Sequence, residues 1–106
     1  DAREVMVLER EFTRSFILAR DRAIGEWDVR DITALTPQSV EPILGLKPDV
    51  VLLGSGARQQ FPSQAVLAEF LKRGVGVEVM DNAACARTWN VLAGEHRNVV
   101  AAFILA

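Results

Sequence analysis

A short glycine-rich segment, Gly-Ser-Gly-Ala-Arg, follows an apolar run and carries the residue types of a ligand-binding site. Gly54 and Gly56 let the backbone approach a ligand closely. Ser55 offers a hydroxyl group, and Arg58 can bind an anion through two hydrogen bonds. Nucleotide-binding motifs are not matched, because the third glycine of a dinucleotide motif is missing and no Lys-Ser or Lys-Thr pair follows. The segment predicts either a small pocket or a tight turn whose glycines adopt positive φ angles.

Asp81 and Asn82 directly follow the next strand-like run of the sequence. The carboxyl ends of parallel strands meet at one edge of a sheet, so we expect both side chains in one crevice with Ser55 and Arg58. Asp and Asn are also among the residues that most often cap the N-terminus of a helix. Capping is the favoured interpretation, and it does not exclude a ligand contact.

Glu78 is a carboxylate within an otherwise apolar run. If that run is buried, Glu78 needs a cationic partner, because an unpaired buried charge is heavily penalised. Arg58 and Arg87 are the candidates. If one face of the strand is solvated, the alternation of Glu78 with valine on both sides places the carboxylate in water instead.

Cys85 and Ser55 are the candidate nucleophiles, and neither belongs to a catalytic arrangement. Cys85 shares a helical stripe with Trp89 and Leu92, where a free cysteine is typically a small core residue. Ser55 is not in a G-x-S-x-G turn, and the single histidine, His96, lies near the far end of the predicted helix. The sequence therefore predicts no catalytic residues and a protein that is not an enzyme.

Composition argues against several other functions. The 106 residues include one cysteine and one histidine, which excludes an intramolecular disulfide and argues against a Cys/His metal site. A net charge of −2, with scattered basic residues, provides no surface for nucleic acid. No apolar run approaches the roughly 18–20 residues that cross a bilayer. We expect no cofactor, no metal, no nucleic acid and no transmembrane segment, in one soluble domain over residues 1–106.

Aromatic residues are the candidates for a contact surface. Trp89 lies on the helical stripe and is predicted in the core, whereas Trp27, between two acidic residues, is expected to be partly exposed. Phe61 lies in a predicted loop. It either contacts a partner or packs on the following helix as a hydrophobic staple.

Hydrophobic spacing and turn signals predict the elements that position these residues. Antiparallel strands in the first third extend or cover a parallel βαβαβ core, which gives an α/β fold with a mixed sheet. Ser39, or alternatively Thr36, caps the first helix, and Pro62 is expected at the first position of the second. The predicted strands are 5–8, 15–19, 23–29, 49–53, 75–80 and 98–105, and the predicted helices are 39–46, 63–73 and 82–93.

Two extended segments of the sequence resemble the Mth domain family. PDVVLLGSGARQQFP, at residues 48–62, is similar to the family's P-(D/E)-(hydrophobic run)-G-T-G-x-R-Q-x-F-P. RGVGVEVMDNAACARTWNVL, at residues 73–92, is similar to R-G-I-G-x-E-V-M-x-(T/N)-x-A-A-x-x-T-(Y/F)-N-x-L. Ser55 replaces the usual Thr and keeps its hydroxyl, and Trp89 replaces the usual Tyr or Phe. The resemblance covers about residues 15–105.

The resemblance implies a compact α/β sandwich and a function without catalysis. The family's best-understood role is assistance to the assembly of mitochondrial respiratory complex I, so respiratory complex subunits are the implied partners. The protein is then mitochondrial in a eukaryote and cytoplasmic in a prokaryote, with any membrane association made through a partner. The family motif marks Gly54, Ser55, Gly56, Arg58, Glu78, Thr88 and Asn90 as a possible ligand or partner site, to which the residue analysis adds Phe61, Asp81 and Asn82.

Two alternatives remain at this stage. A small anionic metabolite can bind at Ser55, Arg58 and Asn82, with or without an enzymatic activity. The N-terminal strands can also pair across an edge and form a homo-oligomer.

Overall fold

The part of the chain that the structure describes contains seven strands and three α-helices. The computed structural model describes residues 5–7, 10–95 and 97–105, so the end of the predicted strand 5–8 and His96 lie outside the described residues. The elements are β1 (Val5–Val7), β2 (Arg10–Phe12), β3 (Phe16–Leu18), β4 (Ala23–Ile24), α1 (Glu41–Leu44), β5 (Val50–Gly54), α2 (Gln64–Lys72), β6 (Gly76–Met80), α3 (Asn82–Leu92) and β7 (Val99–Phe103).

Five of these strands form a mixed sheet in the order β4-β3-β7-β5-β6. β5 pairs in parallel with both β6 and β7, and β3 pairs antiparallel with β7 and β4. β1 and β2 form a separate antiparallel pair. The predicted α/β fold, with a parallel core and antiparallel N-terminal strands, is confirmed.

Side chains alternate between two apolar clusters, one on each face of the sheet. Val51 and Leu53 of β5 join one cluster, and Leu52 joins the other. α2 covers the first face through Val66 and Phe70, and α3 covers the second through Cys85 and Trp89. β5 and β7 are apolar throughout because they are covered on both faces.

Side-chain caps define the starts of the helices. Asp81 Oδ1 accepts a hydrogen bond from Ala84 N at 2.8 Å and caps α3, as predicted. Ser63 caps α2, so the prediction of Pro62 at the first helical position is wrong by two residues. The Ser63 hydroxyl satisfies an orphan N–H of the first turn, which proline cannot do. Thr36 caps a 3-10 turn over Pro37–Val40 that leads into α1.

The segment around Trp27 departs from the sequence analysis. Only Ala23–Ile24 of the predicted strand 23–29 is extended in the sheet. Glu26 adopts a left-handed φ of 59°, which ends the extended conformation. Trp27 is then 6% exposed rather than partly exposed, and its indole Nε1 donates to Ser39 O at 2.9 Å.

None of the described helices has the length and hydropathy of a membrane span.

Candidate functional site

The connections that follow β5 and β6 leave the sheet toward opposite faces. α2, which follows β5, covers one face, and α3, which follows β6, covers the other. This arrangement places a crevice at the carboxyl ends of the two strands, where open α/β sheets usually bind ligands. The loop 55–60 and the start of α3 meet in this crevice.

The Ser55 hydroxyl closes the loop through hydrogen bonds to the backbone. Its oxygen Oγ lies 2.8 Å from Arg58 O and 3.1 Å from Met80 O, either of which can accept its proton. The same oxygen accepts a hydrogen bond from Gln60 N at 3.1 Å. Ser55 is buried, so its hydroxyl fixes both ends of the loop and joins it to β6.

Asn82 joins three chain segments beneath the loop. Its Oδ1 accepts from Gly56 N at 3.1 Å, and its Nδ2 donates to Ile104 O at 2.9 Å. The predicted proximity of Asn82 and the glycine-rich segment is therefore present. Asn82 is buried, and no buried side-chain N or O in the described part of the chain is without a hydrogen-bond partner.

The two glycines of the segment are required for different reasons. Gly56 has a φ of 114°, as the turn interpretation predicts. Gly54 does not adopt a positive φ; instead, a Cβ atom at this position would lie 2.4 Å from Asn82 Oδ1. The close approach of Asn82 to the end of β5 therefore requires glycine at position 54.

Arg58 is exposed on the outer side of the loop. It lines a cavity of about 370 Å³ together with Ser55 and Arg30, but buried Asn82 does not line this cavity. Asp31 also lines it, and hydrogen bonds from the side chain and backbone of Thr33 lower the pKa of that carboxyl. The cavity is thus bordered by two guanidinium groups and one carboxylate.

Glu78 lies in a different place, on the face of the sheet that α3 covers. It is exposed, and among the described residues it forms no ion pair with Arg58 or Arg87. The structure thus favours the solvated alternative over the buried pair. Glu78 and Thr88 both line a groove of about 310 Å³ between β6 and α3.

Thr88 and Asn90 do not act on the same side of α3. Thr88 Oγ1 donates to Ala84 O at 2.8 Å, one turn earlier, while its side chain lines the groove beside Glu78. Asn90 is exposed two positions further on. With about 3.6 residues per turn, two positions separate side chains to nearly opposite sides of a helix. The motif residues therefore occupy three places rather than one site.

Cys85 is a core residue, as predicted. Burial, and secondarily the charge of Asp81, raises the pKa of the Cys85 thiol to about 12. A thiol with this pKa stays protonated and is a poor nucleophile at neutral pH. The described residues also contain no group of three or more side chains that are placed to hold a metal ion.

Phe61 is 59% exposed, which favours partner contact over a staple on α2. The outer edge of β6 is an exposed feature that the sequence pattern did not indicate. Val77 and Val79, which are half-buried there, read in the sequence as ordinary core-strand residues. The exposure pattern of β6, in which no residue is fully buried, is the signal of an edge strand.

Comparison with known proteins agrees with the resemblance seen in the motifs. A family described as protein of unknown function (DUF498/DUF598) matches residues 1–104. The chain belongs to this family.

The chain is 28% identical over 90 residues to a 13 kDa major membrane protein of Francisella tularensis, covering 84% of the chain and 73% of that protein. It is 37% identical over 84 residues to NADH dehydrogenase [ubiquinone] 1 alpha subcomplex assembly factor 3 of Danio rerio, covering 77% of the chain. That match spans 48% of the assembly factor.

Solved structures of bacterial proteins share the fold. The solution structure of XCC1710 from Xanthomonas campestris has a TM-score of 0.91 and 48% identity, covering 99% of this chain and 80% of that one. A Mth938-like domain from Bordetella pertussis has a TM-score of 0.82 and 27% identity, covering 96% and 80% of the two chains. The predicted membership of the Mth-like domains is confirmed.

Proposed function

We propose that this protein is a non-catalytic interaction module that assists the assembly of a respiratory or membrane-bound complex. The observation that carries the proposal is the internal hydrogen bonding of the motif loop. Ser55 and Asn82, which resemble ligand-binding residues, bind the protein's own backbone instead. The similarity to an NADH dehydrogenase assembly factor supports an assembly role.

The surface beside the loop has the character of a protein contact. Phe61 projects from it, and Arg58 lies exposed three residues earlier. Aromatic and arginine side chains are the residue types that contribute most to protein interfaces. The partners that we propose are subunits of the complex under assembly, in the cytoplasm of a prokaryote or the mitochondrion of a eukaryote.

Affinity purification of the tagged protein from gently solubilised cells, read by mass spectrometry, tests the proposal. We expect respiratory-complex subunits to be enriched with the unaltered protein and reduced about tenfold in the double variant Arg58→Ala/Phe61→Ala. Val91→Ala is the control, because Val91 is also an exposed apolar residue, at 71%, and lies elsewhere, on α3. Recovery of the unaltered protein without any complex subunit would contradict the proposal.

A second candidate function, binding of a small anionic metabolite, is favoured by the cavity between Arg30 and Arg58. Neither guanidinium forms an ion pair within the described ranges of the chain. A thermal-shift screen with phosphate, sulfate and small carboxylates tests this function. A real ligand at about one hundred times its Kd stabilises by about 2.7 kcal/mol. Arg58→Ala should abolish the shift, and Arg87→Ala, on α3, should leave it intact.

A further inference from the structure

The outer edge of β6 has no neighbouring strand among the residues that the structure describes. β6 is the last strand in the sheet order and pairs with β5 alone. The opposite sheet edge is β4, which contains two residues, Ala23–Ile24. β6 is five residues long, so it offers the longer of the two edges. Long open edges are the places where another strand can be added.

The backbone groups of alternate β6 residues point away from the sheet. Gly76 N donates to Asp49 O, and Met80 O accepts from Ser55 N, so these two β6 residues face β5. Along a strand the bonding direction alternates, so Val77 and Val79 direct their N–H and C=O groups outward. One contact agrees with this: Gln59 Nε2 donates to Val79 O at 2.9 Å. The remaining outward groups of Val77 and Val79 are available to a strand.

An apolar band runs beside these backbone groups on the α2 side of the sheet. The side chains of Val77 and Val79 pack at the margin of the core under α2 and stay half-exposed. The flank of α2 that faces α1 is marked by Arg73, whose Nη2 lies 3.0 Å from Glu41 Oε1. Glu69 of α2 also pairs with Arg73, and Leu71, two positions further along the helix and 80% exposed, lies on the other flank by helical spacing. An added strand would therefore meet apolar side chains on this face.

The opposite face of the edge carries a net negative charge, because Glu78 and Glu95 outnumber Arg97 among the charged residues that line the groove there. Glu78 alternates with the two valines, so its side chain lies on the α3 side of the sheet and lines the groove there. It forms no ion pair within the described segments. A basic side chain on an added strand would form an ion pair with this carboxylate. The complement of the edge is thus a strand that alternates apolar and basic residues.

A second copy of this chain fits the edge poorly. The antiparallel register that pairs Val77 with Val79 of the second copy places Glu78 directly opposite its own copy. Like charges opposite each other across a ladder destabilise the pair. The register centred on Val77 needs the N–H of Val75, which already donates to Phe70 O at 3.0 Å.

We propose that the outer edge of β6 binds an extended segment of a partner protein, with alternating apolar and basic residues, as a sixth strand of the sheet. The inference rests on the proposed assembly function and adds a second contact surface to the one at Arg58 and Phe61. Backbone hydrogen bonds to Val77 and Val79 hold the segment. Its apolar residues pack beside Leu71, and its basic residues pair with Glu78.

Site-specific photocrosslinking in cells tests the inference. A benzophenone amino acid at position 71 should crosslink to a partner, and the crosslinked peptide, mapped by mass spectrometry, should alternate apolar residues with Lys or Arg. The same amino acid at position 91, on an exposed site of α3, is the matched control and should give about tenfold less product. Crosslinks from position 71 to this chain itself, or to a segment without that alternation, would overturn the inference.

Two edge variants of the position-71 protein separate this inference from the proposed function. Val77→Pro removes an outward N–H and leaves the bonds of β6 to β5 in place, and Glu78→Lys reverses the charge without touching the core. Each should reduce the crosslink about tenfold. Unchanged affinity capture of a partner by both folded variants would overturn the edge inference and leave the assembly function standing. Failure of the unaltered protein to capture any partner would overturn both.

Discussion

The crevice between β5 and β6 and the outer edge of β6 share one strand but differ in their polar groups, which are paired internally in the crevice and point outward at the edge. In the crevice, Ser55 and Asn82 are buried and their hydrogen bonds go to the protein's own backbone. Along the edge, Val77 and Val79 direct backbone groups outward beside apolar side chains. A motif rich in ligand-binding residue types can therefore have a structural role. The exposed backbone groups lie instead along β6, whose valines resemble those of any core strand.

The largest expected effect is at Asn82. Replacing it with leucine leaves Gly56 N and Ile104 O without the partners they now have. Each unsatisfied group costs about 1–3 kcal/mol, so for the two groups we expect a loss of about 2–6 kcal/mol in the free energy of unfolding. Chemical denaturation measures it. Asn90→Leu, at an exposed position, should change stability by less than about 0.5 kcal/mol. Equal effects at the two positions would contradict the structural role of Asn82.

A smaller loss is expected at Ser55. Ser55→Ala removes the acceptor of Gln60 N and the hydroxyl donor to Arg58 O or Met80 O. We expect a loss of about 1–3 kcal/mol by chemical denaturation. Ser55→Thr keeps the hydroxyl and should restore most of that stability. If Ser55→Ala were as stable as the unaltered protein, the result would contradict the structural role of the hydroxyl and support a ligand role for Ser55.

The burial of Cys85 should be detectable in the pH dependence of stability. The pKa of Cys85 is raised to about 12 from an ordinary 9.0, so the unfolded chain releases this proton at lower pH than the folded chain. Stability is therefore unaffected below pH 9 and falls as pH rises above it, by up to about 1.4 kcal/mol per pH unit. Comparison with Cys85→Ala isolates this term. Parallel stability curves of the two proteins between pH 8 and 10 would show that the thiol is not desolvated.

The smallest effect is expected at the edge itself. Glu78→Leu should change the unfolding free energy by less than about 0.5 kcal/mol, because the side chain is exposed and forms no ion pair in the described parts of the chain. Thermal unfolding checks this. A loss of several kcal/mol would instead support a buried ion pair of Glu78 with Arg58 or Arg87. It would contradict the interpretation of the β6 edge as an open surface.

Much of the fold could be predicted because its signals are local. The apolar run of β5, the stripe of α2 and the cap at Asp81 each specify their element within a few residues. The end of β4 could not be predicted, because Glu26 adopts a left-handed φ and glutamate is not a residue type that indicates this conformation. The burial of Trp27 follows from that turn and from a bond to Ser39, twelve residues away.

The candidate site was harder to predict than the fold, for a chemical reason. Serine, asparagine and glycine bind ligands with the same groups that close loops, so their types do not distinguish the two uses. Strand order decides which strand is an edge, and it depends on the direction of crossovers rather than on local pattern. One separation was predictable: helical spacing alone places Thr88 and Asn90 on different sides of α3.

The position of β7 has a consequence for synthesis of the protein. Val99–Phe103 is the last strand along the chain, yet it lies in the middle of the sheet, between β3 and β5. Until these five residues leave the ribosome, β3 and β5 have no shared neighbour, and the edges that pair with β7 remain open. The domain therefore forms its sheet only after translation has reached residue 103, and a product stopped earlier would be a substrate for chaperones and proteases.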